Sequence, residues 1–139
     1  MKALYETTII NNGGRQGSVY SEDKTFNMKV SKPKSLGGDE TTATNPEQLF
    51  AAGYSACFNS ALELVLERDN VKVDKSEVKA TITLIGDKDH GGVKLAAKLE
   101  VHIIGINEEQ KNIYVEKAHH YCPYSKAVKD SIDVEIVVI

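Results

Sequence analysis

The sequence is sparing with the residue types that handle sulfur and anions: of its 139 residues two are cysteine and two are arginine, Arg15 and Arg68, the other basic residues all being lysine. It contains no C-x-x-C pair, since Cys57 and Cys122 stand 65 residues apart, and this speaks against a general disulfide oxidoreductase. Its longest nearly apolar stretch, Leu49–Phe58, is about half of what a bilayer-crossing helix needs. The opening Met-Lys-Ala-Leu-Tyr-Glu-Thr-Thr has no apolar signal-peptide core. These absences predict a cytoplasmic chain without a membrane partner. With a formal net charge of −3 and scattered basic residues, the chain carries no electrostatic footprint for nucleic acid. Repeats and low-complexity tracts are also lacking, so residues 1–139 are expected to form a single domain.

What is present reads as alternating and helical segments. Residues 3–11 and 25–31 alternate as strands around the turn-rich Asn12-Gly13-Gly14-Arg15-Gln16-Gly17, an opening hairpin-like unit. Residues 31–44 have no period and read as a connecting loop. The strongest helix signal runs from Pro46 to about Arg68, with Asn45 as N-cap, Glu47 in the first turn and Gln48 completing a capping box. On that helix Phe50, Gly53, Cys57, Ala61 and Leu64 form one apolar stripe, which turns Cys57 inward. Residues 77–85 and 93–103 are two β-branched strands of a long hairpin. A second helix spans Asn107 to about His120, with Asn107 and Gln110 as its capping pair. Pro123 ends it and starts a short helix running to Asp130, with Cys122 at the new N-cap. Residues 133–139 close the chain as a strand. The order predicts an α+β fold with mostly antiparallel sheet.

Two thiols in a reducing compartment are inert, metal-binding or redox-active rather than permanently bridged. His119, His120 and Cys122 are close in sequence, but adjacent helical histidines point about 100° apart and no zinc-type spacing occurs. His90 and His102 read as surface or edge residues. Cys57 taken alone is a small hydrophobe on a buried stripe. Cys122, at a helix start, is better placed for thiolate chemistry, because unpaired N–H groups favour the anion. A redox-active cysteine must ionise from a usual pKa of about 8.5. Ionisation alone gives a limited gain, so such a site must also stabilise charge on the group that departs when the sulfur attacks. An arginine serves both needs. Arg15, in its glycine-rich loop, is the candidate, with Glu47 to orient it. In isolation the first reads as a solvated turn residue and the second as an acid favoured by the helix dipole. Glu47 precedes Cys57 by ten residues, about 15 Å along one helix. The pair serving each Cys57 is therefore expected to include a residue of a second subunit. Tyr54 and Tyr124 read as packing residues able to wall an apolar pocket.

The run Thr44-Asn45-Pro46-Glu47-Gln48-Leu49-Phe50-Ala51-Ala52-Gly53-Tyr54-Ser55-Ala56-Cys57-Phe58 resembles the peroxidatic helix of the organic hydroperoxide resistance (Ohr) branch of the Ohr/OsmC family. Cys122-Pro123-Tyr124-Ser125 resembles its resolving segment, and Gly13-Gly14-Arg15 the loop of its catalytic arginine, with Glu47 matching the glutamate that pairs with it. The resemblance implies an OsmC-like fold with a central cysteine-bearing helix in an intertwined homodimer. It implies reduction of alkyl and fatty-acid hydroperoxides to alcohols, with Cys57, Cys122, Arg15 and Glu47 as catalytic residues and no metal or prosthetic group. It further implies recycling of a Cys57–Cys122 disulfide by dihydrolipoyl-bearing proteins. A non-catalytic hydroperoxide-sensing or small-ligand-binding module on the same fold is the alternative. Two positions depart from the family pattern: Tyr121 replaces an aliphatic residue and is expected to reshape the pocket, and Asp39-Glu40 makes a loop unusually acidic.

Overall fold

Asn45-Pro46-Glu47-Gln48 starts a helix where the sequence predicts one. In the computed structural model, which describes residues 1–39 and 42–139, this helix (α1) spans Pro46–Arg68. Asn45 Oδ1 accepts the Gln48 N–H at 2.8 Å, the expected N-cap bond. Gln48 Oε1 takes the Thr44 hydroxyl at 3.0 Å, so its carboxamide reaches one residue further back than a capping box requires. The chain divides into two compact units, Met1–Leu49 and Phe50–Ile139.

The first unit is a three-stranded antiparallel meander of β1 (Ile10–Asn12), β2 (Gly17–Tyr20) and β3 (Asn27–Val30). Ile10 pairs with Tyr20 and Gly17 with Val30. The expected strand over residues 3–11 is thus reduced to its end. Alternation gives a segment two faces, but a strand forms only where a neighbour takes its N–H and C=O groups. The four-residue β2 supplies that for Ile10–Asn12, while Leu4 and Tyr5 stay exposed. The central strand β2 is unpredicted, because a short segment opening on Gly-Ser carries no alternation signal. The described residues of the connecting loop, 31–39 and 42–44, form no strand or α-helix; they hold a 3-10 turn at Lys34–Leu36 and a single bridge from Thr44 to Val30. Glu40, half of the acidic departure, lies outside the described residues.

In the second unit β4 (Lys75–Gly86) and β5 (Val93–Ile104) form the predicted hairpin, from Lys75 opposite Ile104 to Gly86 opposite Val93. The last strand, β6 (Asp133–Val138), pairs with β5 in parallel and makes β5 central. Alternate β5 residues Ala97, Leu99, Val101 and Ile103 are buried in one cluster with residues of α1 and of α2 (Glu108–Tyr121). Asn107 caps α2 in a complete capping box with Gln110. Cys122 then ends α2 and caps α3 (Pro123–Val128), as the proline predicts.

The buried stripe of α1 differs from the predicted one. Tyr54, Phe58, Ala61, Leu62, Val65 and Leu66 are buried, a face rotated by about one residue, or ~100°, from the expected line through Cys57. Ala, Gly, Ser and Cys populate several faces of α1, so the aromatic and branched residues decide the orientation. Each of those large side chains contributes about 1.5–3 kcal/mol when buried. Cys57 consequently lies at the margin of the core, half-buried. At 23 residues α1 is also long and apolar enough to cross a bilayer, which corrects the expectation drawn from the uninterrupted run Leu49–Phe58. Asn59 and Ser60 break that run without making the helix polar, and in this fold its large residues face the core.

Candidate active site

Cys57 lies midway along α1, and Cys122 sits at the corner where α2 gives way to α3. Their sulfurs are 3.7 Å apart, with the Cys122 thiol oriented toward Cys57, and both cysteines are reduced. That separation is van der Waals contact, within a small movement of the ~2.05 Å of a disulfide. The corner is held by local rules. Pro123 occupies the first helical position, where its missing N–H costs nothing. The Ser125 N–H, an orphan donor of the first turn, points at Cys122 Sγ at 3.5 Å. The Tyr124 backbone N–H acts in the same way on Cys57. Burial nonetheless pushes the Cys57 thiol above its ordinary pKa, and the adjacent Cys122 adds to the rise, against the Tyr124 N–H. Within Phe50–Ile139 the Cys57 thiol is therefore raised rather than depressed as expected.

Arg15 and Glu47 meet in the first unit as a bidentate fork, Nη1 to Oε2 at 2.8 Å and Nη2 to Oε1 at 2.6 Å. Arg15 is carried by the loop between β1 and β2, which local groups shape. The Asn11 carboxamide donates to Gly14 O and Ser18 O and accepts the Gly14 N–H. Gly13 takes φ +88°, and a Cβ on Gly17 would stand 1.8 Å from Asn12 O, so both positions require glycine. Glu47 sits in the first turn of α1, where the helix dipole also favours its charge. The Arg15 hydrogen bond holds its carboxyl below the usual range, and the same bond raises the guanidinium.

An aromatic wall flanks Cys57. Phe50, Tyr54 and Tyr124 have ring centroids 5.8 to 6.1 Å apart. A Cβ on Gly53 would meet Tyr124 Oη at 2.5 Å, so the glycine one turn before Cys57 seats that ring. Tyr54 and Tyr124 thus pack as expected, Tyr54 fully buried and Tyr124 partly exposed. Tyr121 is held by the second arginine: Arg68 Nη2 donates to Tyr121 Oη at 2.9 Å and its guanidinium lies 4.8 Å from the ring.

One polar cluster has no counterpart in the sequence motifs. The buried Ser125 hydroxyl is shared by Tyr54 Oη at 2.8 Å and His119 Nδ1 at 2.9 Å. Its only sequence signal was a serine three residues after a cap, which ordinarily means a solvated first-turn residue. His119, weighed as a metal ligand, spends Nδ1 on this hydroxyl.

Comparison with known proteins places these residues among relatives. Residues 37–137 match the family described as OsmC-like protein, a span that includes Glu47 and both cysteines but not Arg15. Organic hydroperoxide resistance protein-like 2 of Staphylococcus saprophyticus is 56% identical over 138 residues, covering 99% of this chain and 97% of its own. The crystal structure of an organic hydroperoxide resistance protein from Legionella pneumophila is 40% identical with a TM-score of 0.93, over 99% of this chain and 98% of that one. The organic hydroperoxide resistance protein OhrB of Bacillus subtilis is 37% identical with a TM-score of 0.89, over 99% and 100% of the two chains.

Proposed function

Since this chain belongs to the OsmC-like family, in its organic hydroperoxide resistance branch, we propose that it is a cytoplasmic thiol peroxidase that reduces alkyl and fatty-acid hydroperoxides to alcohols. The observation that carries the reading is the 3.7 Å approach of two reduced sulfurs 65 residues apart. The Cys57 thiolate attacks the distal peroxide oxygen, the O–O bond breaks, and the alkoxide takes up a proton, leaving alcohol and a Cys57 sulfenic acid. The Cys122 sulfur then attacks the sulfenic sulfur, water departs, and a Cys57–Cys122 disulfide remains. A dihydrolipoyl group on a partner protein returns both thiols and itself becomes the cyclic disulfide. Electrons pass through sulfur throughout, so the scheme calls for no bound metal or prosthetic group.

Arg15, preset by Glu47, is the cation that Cys57 requires against burial, and it also receives charge from the departing alkoxide. Glu47 and Cys57 are ten residues apart on one helix, which supports a homodimer in which the Arg15–Glu47 pair serving each Cys57 includes at least one residue of a second subunit, the whole chain acting as one domain of the assembly. The ring faces of Phe50 and Tyr124 suit an organic substituent on the peroxide.

Multiple-turnover consumption of cumene hydroperoxide with dihydrolipoamide tests the proposal. Turnover exceeding that with hydrogen peroxide, and exceeding that with thioredoxin as reductant, is expected. Oxidation of the thiols without turnover by any reductant would mark a sensing or binding module instead.

A further inference from the structure

We propose that Ser125 is a positioning residue for disulfide formation: its hydroxyl, held between Tyr54 and His119, fixes the start of α3 and thereby keeps the Cys122 sulfur at Cys57. The inference rests on the thiol-peroxidase reading above. A cysteine side chain has a single rotatable bond to place its sulfur, so the position of Cys122 Sγ is set by the backbone of the corner between α2 and α3. That corner opens a helix of six residues, too short to be stable alone. Its anchor is a polar cluster with a regular arrangement. Tyr54 lies three residues before Cys57 on α1, His119 three residues before Cys122 on α2, and Ser125 three residues after Cys122 on α3.

Residues three apart on a helix stack on neighbouring turns. One hydroxyl therefore ties together the three helices that carry or flank the two sulfurs, one turn from each. Tyr54 is fully buried and Ser125 nearly so, at 0% and 2% exposure, so neither has water as a substitute partner. The Ser125 backbone N–H meanwhile faces Cys122 Sγ, so a shift of Ser125 is a shift of the group that solvates the sulfur.

The position of Cys122 decides between two fates of the Cys57 sulfenic acid. In one, the Cys122 thiol attacks, an S–S bond forms, the S–OH bond breaks, and the thiol proton leaves with the hydroxyl as water. In the other, a second hydroperoxide gives up its oxygen, the sulfur is oxidised to sulfinic acid, and a second alcohol is released. Loosening the anchor lowers the effective concentration of Cys122 at the sulfenic sulfur and favours the second fate.

The test is the ratio of sulfinic acid to disulfide after a fixed excess of cumene hydroperoxide, read by intact mass without reductant, alongside the rate of the first oxidation. Ser125→Ala and His119→Leu are expected to raise the ratio about fivefold or more, with the first-oxidation rate altered far less. Tyr54→Phe keeps the packing, removes one bond and is expected to raise the ratio less; it decides the matter if Ser125→Ala does not fold. His119→Asn offers a polar atom near the place of Nδ1 without a titrating ring and is expected to stay near the wild-type ratio. Wild-type ratios in Ser125→Ala, or in Tyr54→Phe where only that variant folds, would overturn the proposal. So would His119→Asn behaving like His119→Leu, which would assign the cluster to proton transfer. Failure of the wild-type protein to form the disulfide would instead overturn the thiol-peroxidase reading itself.

Discussion

Cys57 is subject to opposing pulls: burial and the neighbouring thiol raise its pKa, while the Tyr124 N–H lowers it. The Tyr124 ring rests on Gly53, so a methyl added there must push the ring aside rather than enter the core. Alanine also gains about 0.8–1 kcal/mol of helix propensity over glycine. Gly53→Ala is therefore expected to change unfolding free energy by less than ~1 kcal/mol while the rate of Cys57 alkylation rises severalfold. A fall in stability with an unchanged alkylation rate would place the ring elsewhere. For the cysteines themselves, Cys57→Ser should abolish peroxide consumption. Cys122→Ser should allow one turnover and leave a sulfenic or over-oxidised Cys57, seen by intact mass. Unaltered turnover in either variant would remove that cysteine from the mechanism. At this scale the contact of Arg15 with Glu47 and the approach of the two thiols were legible through the family resemblance, since taken alone Arg15 reads as a solvated turn residue and Cys57 as a small core residue. Ser125 was not, since its partner Tyr54 is 71 residues away and a serine looks the same whether its hydroxyl meets water or a buried phenol.

Helices and strands were legible to different degrees. The bounds of α1 and α2 followed from Asn45-Pro46 and from the Asn107–Gln110 pair, since caps are local chemistry. The buried face of α1 did not follow, because small residues on several sides leave the 3.6-residue period weak and packing against β5 and α2 selects the face. The N-terminal alternation overstated β1, because strand length is a property of the pairing partner. A loop can be tested as an element through Gly17. A Cβ there collides with Asn12 O, so Gly17→Ala must open the loop that carries Arg15. The expected result is peroxidase activity reduced at least about tenfold, equivalent to ~1.4 kcal/mol of activation free energy, with the β4–β5 hairpin amides still protected in hydrogen exchange. Full activity would show that the shape of this loop does not matter to Arg15.

For the whole molecule, acid stability reports on the Arg15–Glu47 fork. The Glu47 carboxyl is held below its unfolded value of about 4.3, so its contribution is complete above that pH and is lost as pH falls through the lower, folded value. Glu47→Gln is expected to lower the urea midpoint at pH 7 and to shrink the difference from wild type at pH 3. Equal shifts at both values would dissociate Glu47 from the fork's charge. The same pair bears on assembly, since a fully active monomer in sedimentation velocity would contradict a site shared between subunits. The most direct measurement for the central claim is rapid-quench peptide mapping of the reduced protein after one equivalent of cumene hydroperoxide. The account predicts a single Cys57–Cys122 cross-link, a mass loss of two hydrogens and one cumyl alcohol per chain. Consumption of the peroxide with Cys57 and Cys122 both still alkylatable would contradict it.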